Sequence, residues 1–335
     1  MKVARLHGVH DLRLHDEPDP QSPTAGQAVL RVTSIGVCGS DLHWFAESGI
    51  GDARLSRPLV LGHEFAGVAL MGKYKGRRVA VDPAIACGEC EFCVEGNPNF
   101  CSNMHFAGHG ADDGAMRECM AWPEHLMFPL PDAINDADGV MLEPLGVAIH
   151  AVDLGHIRPG MSVAIFGNGP IGLLTLQMAR LAGAADLFAT EVLPHRIDAA
   201  RNYGATNVIK ADGTEAAQIL SATNKRGVDV AFECAGENEA VEAAVAATKP
   251  GGTVVLVGIP SEDRTSFTAS VARRKGLTIR MSRRMKHTYP RAIKLVERGM
   301  IDVRSMVTHH YPLVDSMKGF DTALRRDGLK VVIEP

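Results

Sequence analysis

The 335-residue chain lacks any excess of positive charge. Lys and Arg number 35 against 39 Asp and Glu, for a formal net charge of −4, which argues against nucleic acid as the main partner. It also lacks an apolar run approaching the roughly 18–20 residues that span a bilayer. Its first residues, Met1-Lys2-Val3-Ala4-Arg5-Leu6-His7, enter alternating strand-like sequence without the apolar stretch of a secretory signal. A cytoplasmic protein with no membrane contact is expected. Apolar residues make up 46% and charged residues 22%, as in ordinary globular proteins, and the length suggests two domains at roughly 150 residues each. Cysteine is scarce, at seven residues, yet Cys87, Cys90, Cys93 and Cys101 fall within fifteen positions. In a long chain of this kind such a cluster points to thiolates on a metal rather than to disulfides.

The texture of the chain changes along its length. Up to about residue 130, short strand-like segments (Lys2–Leu6, Gln27–Ser34, Phe65–Leu70, Arg78–Val81) alternate with turns rich in Gly, Pro and Asp, and predict an all-β body. Val140–Leu154 has helical spacing. Beyond the break at Gly155–Gly160, strands and helices alternate: Met161–Phe166 strand, Ile171–Leu181 helix, Asp186–Thr190 strand, Val192–Tyr203 helix, Asn207–Ile209 strand, then Val228–Glu233, Thr253–Gly258 and Leu277–Met281 as strands with Glu239–Thr248 helical. Apolar strands alternating with helices predict an α/β domain with a parallel sheet covered on both faces. The tail holds a helix, Pro290–Arg298, and a last strand, Lys330–Ile333. Too short to fold alone, it is expected to complete the amino-terminal domain.

Three motifs carry chemistry. Gly167-Asn168-Gly169-Pro170-Ile171-Gly172 follows an apolar strand and opens a helix, the context in which glycines let a pyrophosphate approach the backbone N–H groups at a helix's positive end. Glu191 lies 19 positions beyond Gly172 at the end of the next strand. That spacing suits a carboxylate on the ribose hydroxyls, which would repel a 2′-phosphate, so NAD is favoured over NADP. Second, Cys87-x2-Cys90-x2-Cys93-x7-Cys101 supplies four thiolates, a closed tetrahedral set suited to structural zinc. Third, Gly36-Val37-Cys38-Gly39-Ser40-Asp41-Leu42-His43 and Gly62-His63-Glu64 offer a thiolate, an imidazole and a carboxylate. Brought together they would form a mixed-ligand site open to substrate, though by spacing alone either Cys38 or His63 reads equally as a core residue.

The combination G-V-C-G-S-D-L-H, L-G-H-E, C-x2-C-x2-C-x7-C, G-N-G-P-I-G and a closing K-V-V-I, in this order over nearly the whole chain, resembles the zinc-dependent medium-chain alcohol dehydrogenases. Within them it is most similar to the polyol branch, which includes sorbitol, xylitol and L-idonate dehydrogenases. The resemblance implies a GroES-like β catalytic domain with both zinc sites at residues 1–146, a doubly wound Rossmann NAD-binding domain at 147–283, and a return to the catalytic domain at 284–335. It implies two zinc ions per chain, a catalytic one on Cys38, His63 and Glu64 and a structural one on Cys87, Cys90, Cys93 and Cys101. Glu143 matches the fourth catalytic position and would bind that zinc directly or hold its water. Asp41 matches a residue orienting the ligating imidazole, Ser40 the hydroxyl taking the substrate proton, and His43 the outer end of the relay. Trp44, Phe106 and Arg284 match substrate-lining positions, Arg196 a residue near the adenosine ribose, and Val257-Gly258-Ile259 the strand end beneath the nicotinamide.

The resemblance thus implies reversible oxidation of a secondary alcohol in a polyhydroxylated substrate with NAD, in a homodimer or homotetramer. Departures from the family pattern are a shortened Val68–Gly76 turn and Arg283-Arg284-Met285 where relatives place aromatics around the arginine. A second guanidinium there would suit an acidic substrate such as an aldonic acid. An L-threonine 3-dehydrogenase type of enzyme and a non-catalytic cofactor-binding protein are the alternatives.

Overall fold

Gln27–Gly36, a strand carrying Val29, Leu30, Val32 and Ile35, pairs antiparallel with Glu64–Ala69, Cys119–Pro123 and Lys330–Glu334. Its partners occupy both of its edges, and most of its residues are buried. It is the axis of a seven-stranded sheet whose remaining strands are Arg78–Val81, Met127–Pro129 and Val307–Pro312. This computed structural model describes residues 1–20 and 23–335. Its chain divides into two compact units, Met1–Glu143 with Tyr289–Pro335, and Pro144–Thr288. In the first unit a smaller sheet of Asp11–Asp16, Lys2–Gly8 and Leu59–Val60 shares a core with the large one, built around Trp44, Phe45, Phe65 and Phe320. The carboxy-terminal strand lies beside the axis strand, within the first unit.

The second unit is a six-stranded parallel sheet in the order Asn207–Lys210, Asp186–Glu191, Ser162–Phe166, Val228–Glu233, Thr248–Leu256, Thr278–Met281. In units of chain order this reads 3-2-1-4-5-6, the doubly wound arrangement that binds dinucleotides where the strand order reverses. The reversal falls between Ser162–Phe166 and Val228–Glu233. At the opposite end of those two strands the buried Asp229 carboxylate ties them together: Oδ2 accepts from the N–H and the hydroxyl of Ser162, each at 2.9 Å. Oδ1 takes Arg226 at 2.7 Å and Lys249 at 2.5 Å.

The α/β class and the doubly wound parallel sheet agree with expectation; several helices do not. Gly39–Glu47, Glu215–Ala222, Ala269–Lys275 and Ser316–Leu324 are helical, and none was foreseen. The helix expected at Val140–Leu154 is Leu142–Gly155, preceded by a separate turn of helix, Asp136–Val140. That turn forms because Asn135 and Asp138 cap one another: Asn135 Oδ1 accepts from the Asp138 N–H at 2.6 Å and Asp138 Oδ2 from the Asn135 N–H at 3.2 Å. Among the described residues no helix is long and apolar enough to cross a membrane.

Asp229 makes the second unit acid-sensitive. Burial would raise its carboxyl, but Arg226, Lys249 and Ser162 outweigh burial and hold it well below the usual range. A depressed folded pKa contributes stability that is present above the unfolded value of about 3.9 and lost as pH falls through the folded one. Asp229→Asn is expected to be less stable than wild type at neutral pH, with a gap that closes progressively below about pH 4. Urea midpoints between pH 7 and pH 2 check this; a gap independent of pH would show that the charge contributes nothing.

Candidate active site

The Cys38 segment and the His63 segment are brought together by one carboxylate. Asp41 is the third residue of helix Gly39–Glu47, and its Oδ2 accepts from the Cys38 N–H at 3.0 Å, closing the helix start. Its Oδ1 accepts from the Gly62 N–H at 3.2 Å and lies 3.4 Å from Nδ1 of His63. Nδ1 is thereby turned away, and Nε2 points toward the Ser40 hydroxyl at 3.5 Å. A carboxylate behind the imidazole is the usual support of a metal-ligating histidine. Asp41 is fully buried; burial would raise its carboxyl, yet His63 and the N–H groups of Cys38 and Gly62 hold it below the usual range. Burial would lower His63, and Asp41 and Cys38 reverse that and raise it well above its ordinary value.

Cys38, His63 and Glu64 each place one ligand atom within 4.8 Å of the others. The set fits zinc by its chemistry: a thiolate, an imidazole and a carboxylate, largely buried and short of the four ligands that would close the site. Glu143, at the start of helix Leu142–Gly155, is buried nearby but lies outside that group. Burial, with Glu64 adding and His63 and Lys330 opposing, pushes its carboxyl up to about 7.

Lys330, which sequence reasoning passed over as part of the closing K-V-V-I, forms an ion pair with Glu64 in which both side chains are almost fully buried. Gly36 makes room for it, since a Cβ there would lie 2.1 Å from Glu64 Oε2 and 2.9 Å from Lys330 Cε. The signal was present: a lysine inside an apolar terminal strand has to find a buried acid.

Aromatic rings stand around this group. Phe106 is tilted against His63 at 5.3 Å between ring centres, and His109 meets Trp44 edge-on at 5.4 Å. His109 was not foreseen, because nothing in the loop 105–114 shows which side chains turn inward. Ser40 is beside His63, whereas His43 pairs with Glu47 on its own helix at 3.2 Å. Trp44 is buried in the core.

The four other cysteines converge as well. All four sulfurs lie within 4.8 Å of one another, with separations of 3.4 Å for Cys90–Cys93, 3.5 Å for Cys101–Cys87 and 3.9 Å for Cys87–Cys93. Zinc–sulfur bonds of about 2.3 Å in a tetrahedron place sulfurs about 3.8 Å apart, far beyond the bonded contact of a disulfide. Backbone N–H groups of Cys87 and Cys90 point at Cys101 and Cys87 sulfurs. The Glu89 and Cys90 N–H groups draw the Cys87 thiol down to about 7.

In the second unit the glycine loop follows strand Ser162–Phe166, and Pro170 occupies the first turn of helix Pro170–Leu181. A Cβ at Gly172 would meet the Gly167 carbonyl oxygen at 2.0 Å, so only glycine lets the helix start so close to the strand. The Arg196 guanidinium lies beside Gly169. The buried Glu191 carboxylate accepts from the N–H groups of Asn168 at 2.9 Å, Val192 at 2.8 Å and Leu193 at 3.1 Å. It is therefore fixed at the strand end beside the loop, and the cradle fits a dinucleotide. Val257, Gly258 and Ile259 follow strand Thr248–Leu256. Arg283 is exposed; Arg284 is half-buried in left-handed backbone at φ 56°.

Residues 24–132 match the alcohol dehydrogenase GroES-like domain, and residues 170–298 the zinc-binding dehydrogenase domain. The chain is 33% identical to sorbitol dehydrogenase of Bacillus subtilis over all of this chain and 97% of that one. Among solved structures, an Escherichia coli oxidoreductase of unknown specificity involved in membrane biogenesis superposes with a TM-score of 0.93 at 31% identity, covering 99% of this chain and 98% of that one. L-idonate 5-dehydrogenase of E. coli gives 0.90 at 25% identity, covering 100% and 98%.

The Lys330–Glu64 pair yields a direct test. Lys330→Met would leave Glu64 and Glu143 facing one another in the core, and removing one partner of a buried pair costs about 3–5 kcal/mol. Chemical denaturation should show a loss of that size. A variant within about 1 kcal/mol of wild type, the ordinary range for an exposed pair, would show that the pair does not hold this corner together.

Proposed function

We propose that this chain, which belongs to the zinc-binding alcohol dehydrogenase family, reversibly oxidises a secondary alcohol of a polyhydroxylated substrate. The observation that carries this reading is the convergence of Cys38, His63 and Glu64 on one buried point in a chain whose other unit has a dinucleotide cradle. Zinc and NAD are the cofactors: Cys38, His63 and Glu64 would hold the zinc, which would supply Lewis-acid polarisation of an alcohol oxygen, and the dinucleotide cradle would hold NAD, which would supply the hydride acceptor. Asp41 holds His63 in one tautomer and orientation. Ser40, at 3.5 Å from His63, accepts the proton of the alcohol and passes it outward, with His43 at the outer end. Glu143, protonated or charged near neutral pH, holds the fourth side of the group. The thiolates of Cys87, Cys90, Cys93 and Cys101 hold a second, closed zinc that pins their loop. Phe106, Trp44 and Arg284 serve the substrate, and the chain works as a homodimer or homotetramer in the cytoplasm.

Measuring NADH formation across alditols, aldonic acids, threonine and simple alcohols tests the reading. Secondary-alcohol polyols are expected to lead, with the aldonic acids deciding what Arg283 contributes; activity confined to threonine would favour the amino-alcohol alternative. Elemental analysis should find two zinc ions per chain. Cys38→Ser should abolish turnover with little change in melting temperature, whereas Cys93→Ser should lower stability, because a closed site contributes folding free energy.

Glu191 should set cofactor choice. Its charge hydrogen-bonds the ribose and repels a 2′-phosphate. Glu191→Gln keeps an acceptor for the N–H groups of Val192 and Leu193 but removes the charge. A charged hydrogen bond is worth about 1.5–3 kcal/mol, so the NAD-over-NADP preference in kcat/KM should narrow by roughly 10- to 150-fold. Equal efficiency with both cofactors in wild type would overturn the assignment.

A further inference from the structure

The second unit contains another buried carboxylate at the ends of its strands, Glu233, and the proposed chemistry gives it no role. It is the last residue of strand Val228–Glu233 and only 1% exposed. Its Oε1 accepts from the N–H groups of Ala235 and Gly236, both at 2.7 Å. Its main-chain carbonyl accepts from Val257 at 2.8 Å and Gly258 at 3.0 Å. The other carboxylate oxygen lies against Gly258, where a Cβ would come within 2.7 Å of it and within 2.2 Å of the Gly236 nitrogen. The loops after two neighbouring strands are thus in backbone contact, with one carboxylate between them. The first loop also reaches the glycine motif: the Cys234 N–H donates to the Phe166 carbonyl at 2.8 Å, and Ala235 fills the space where a Gly167 Cβ would be. Burial pushes the Glu233 carboxyl above its usual range, opposed by the N–H groups of Gly236, Ala235, Glu237 and Gly258.

Position assigns these loops to one half of a dinucleotide. The strand order reverses between Ser162–Phe166 and Val228–Glu233, and a dinucleotide lies across that reversal with its pyrophosphate on the helix that follows the first strand. Glu191 stands on the side of the adenosine. The second nucleoside then lies over the ends of Val228–Glu233 and Thr248–Leu256, which are the ends that Glu233 joins.

We infer that Glu233 is a positioning residue for the nicotinamide half of the cofactor, locking loops 234–237 and 257–259 into one surface before the cofactor arrives. The inference rests on the cofactor reading above. Glu233→Gln keeps one oxygen for Ala235 and Gly236 but replaces the oxygen packed against Gly258 with an NH2, which loosens the side-chain contact with the second loop while the main-chain bonds of Val257 and Gly258 remain. ADP, which contains adenosine and pyrophosphate only, separates positioning from general damage.

The experiment titrates NADH by its fluorescence and ADP by calorimetry on wild type and Glu233→Gln, with melting temperatures recorded alongside. NADH binding is expected to weaken roughly tenfold or more while ADP binding changes less than about threefold, since one buried acceptor is lost on one side only. Glu233→Asp, which keeps the charge but withdraws it by one methylene, should show the same split in smaller measure and serves if Glu233→Gln folds poorly. Equal weakening of both ligands, or of neither, would overturn the positioning role. Wild-type protein that binds ADP and NADH alike with no measurable affinity would instead overturn the cofactor reading beneath it.

Discussion

The Asp41 carboxylate has more consequences than any other single group in the first unit. Its two oxygens engage the N–H groups of Cys38 and Gly62 and the imidazole of His63, so two segments more than twenty residues apart are held at one point. Strand pairing sets Gly36 opposite Glu64 and so brings the two segments near one another, but Asp41 is what orients the Cys38 and His63 ends toward one point. With it, the start of a helix, the left-handed turn at Gly62 and the tautomer of an imidazole are fixed together. A buried charge is tolerated there because both of its oxygens have donors.

The far end of the chain completes what Asp41 begins. Glu64 stands next to His63 on a strand whose neighbour, Gln27–Gly36, also pairs with the terminal strand. Register aligns Glu64, Gly36 and Val332 across the three strands, and Lys330, two residues before Val332, reaches Glu64 across the room that Gly36 leaves. The cation limits the repulsion among Glu64, Glu143 and the Cys38 thiolate in a dry core, where such repulsion is weakly screened. The tail therefore does more than fill out a sheet: it supplies the buried cation that pairs with Glu64.

How much of this was legible in the sequence depends on the range of the interaction. The parallel sheet was readable because its strands are continuous apolar runs separated by helical spacing, a local signal. The glycine loop and the four-cysteine cluster were readable because their partners are close in the chain. The helix Gly39–Glu47 was missed because its first turn, Gly-Ser-Asp, reads as a turn until Asp41 is seen to cap it. Ser316–Leu324 was missed because its apolar face matters only against residues distant in the chain, such as Phe45, Val331 and Ile333, which no local pattern shows. Lys330 and His109 were missed for the same reason. Their neighbours are supplied by register and by loop closure, and the sequence around them carries no mark of either.

The same physical device recurs at the points where the chain must hold a loop open for a ligand. Asp41, Glu191 and Glu233 each sit at an element end and are almost fully buried, and each accepts backbone N–H groups from residues on a following or neighbouring loop. Loops rich in glycine gain freedom of conformation and lose it on binding, which weakens binding by the entropy of ordering. A carboxylate that gathers their N–H groups removes that freedom during folding, so the ligand meets an ordered surface. Water cannot substitute, because the group is buried, and an amide cannot fully substitute, because half of it donates. The acids at these positions are therefore required first as acceptors for the chain itself.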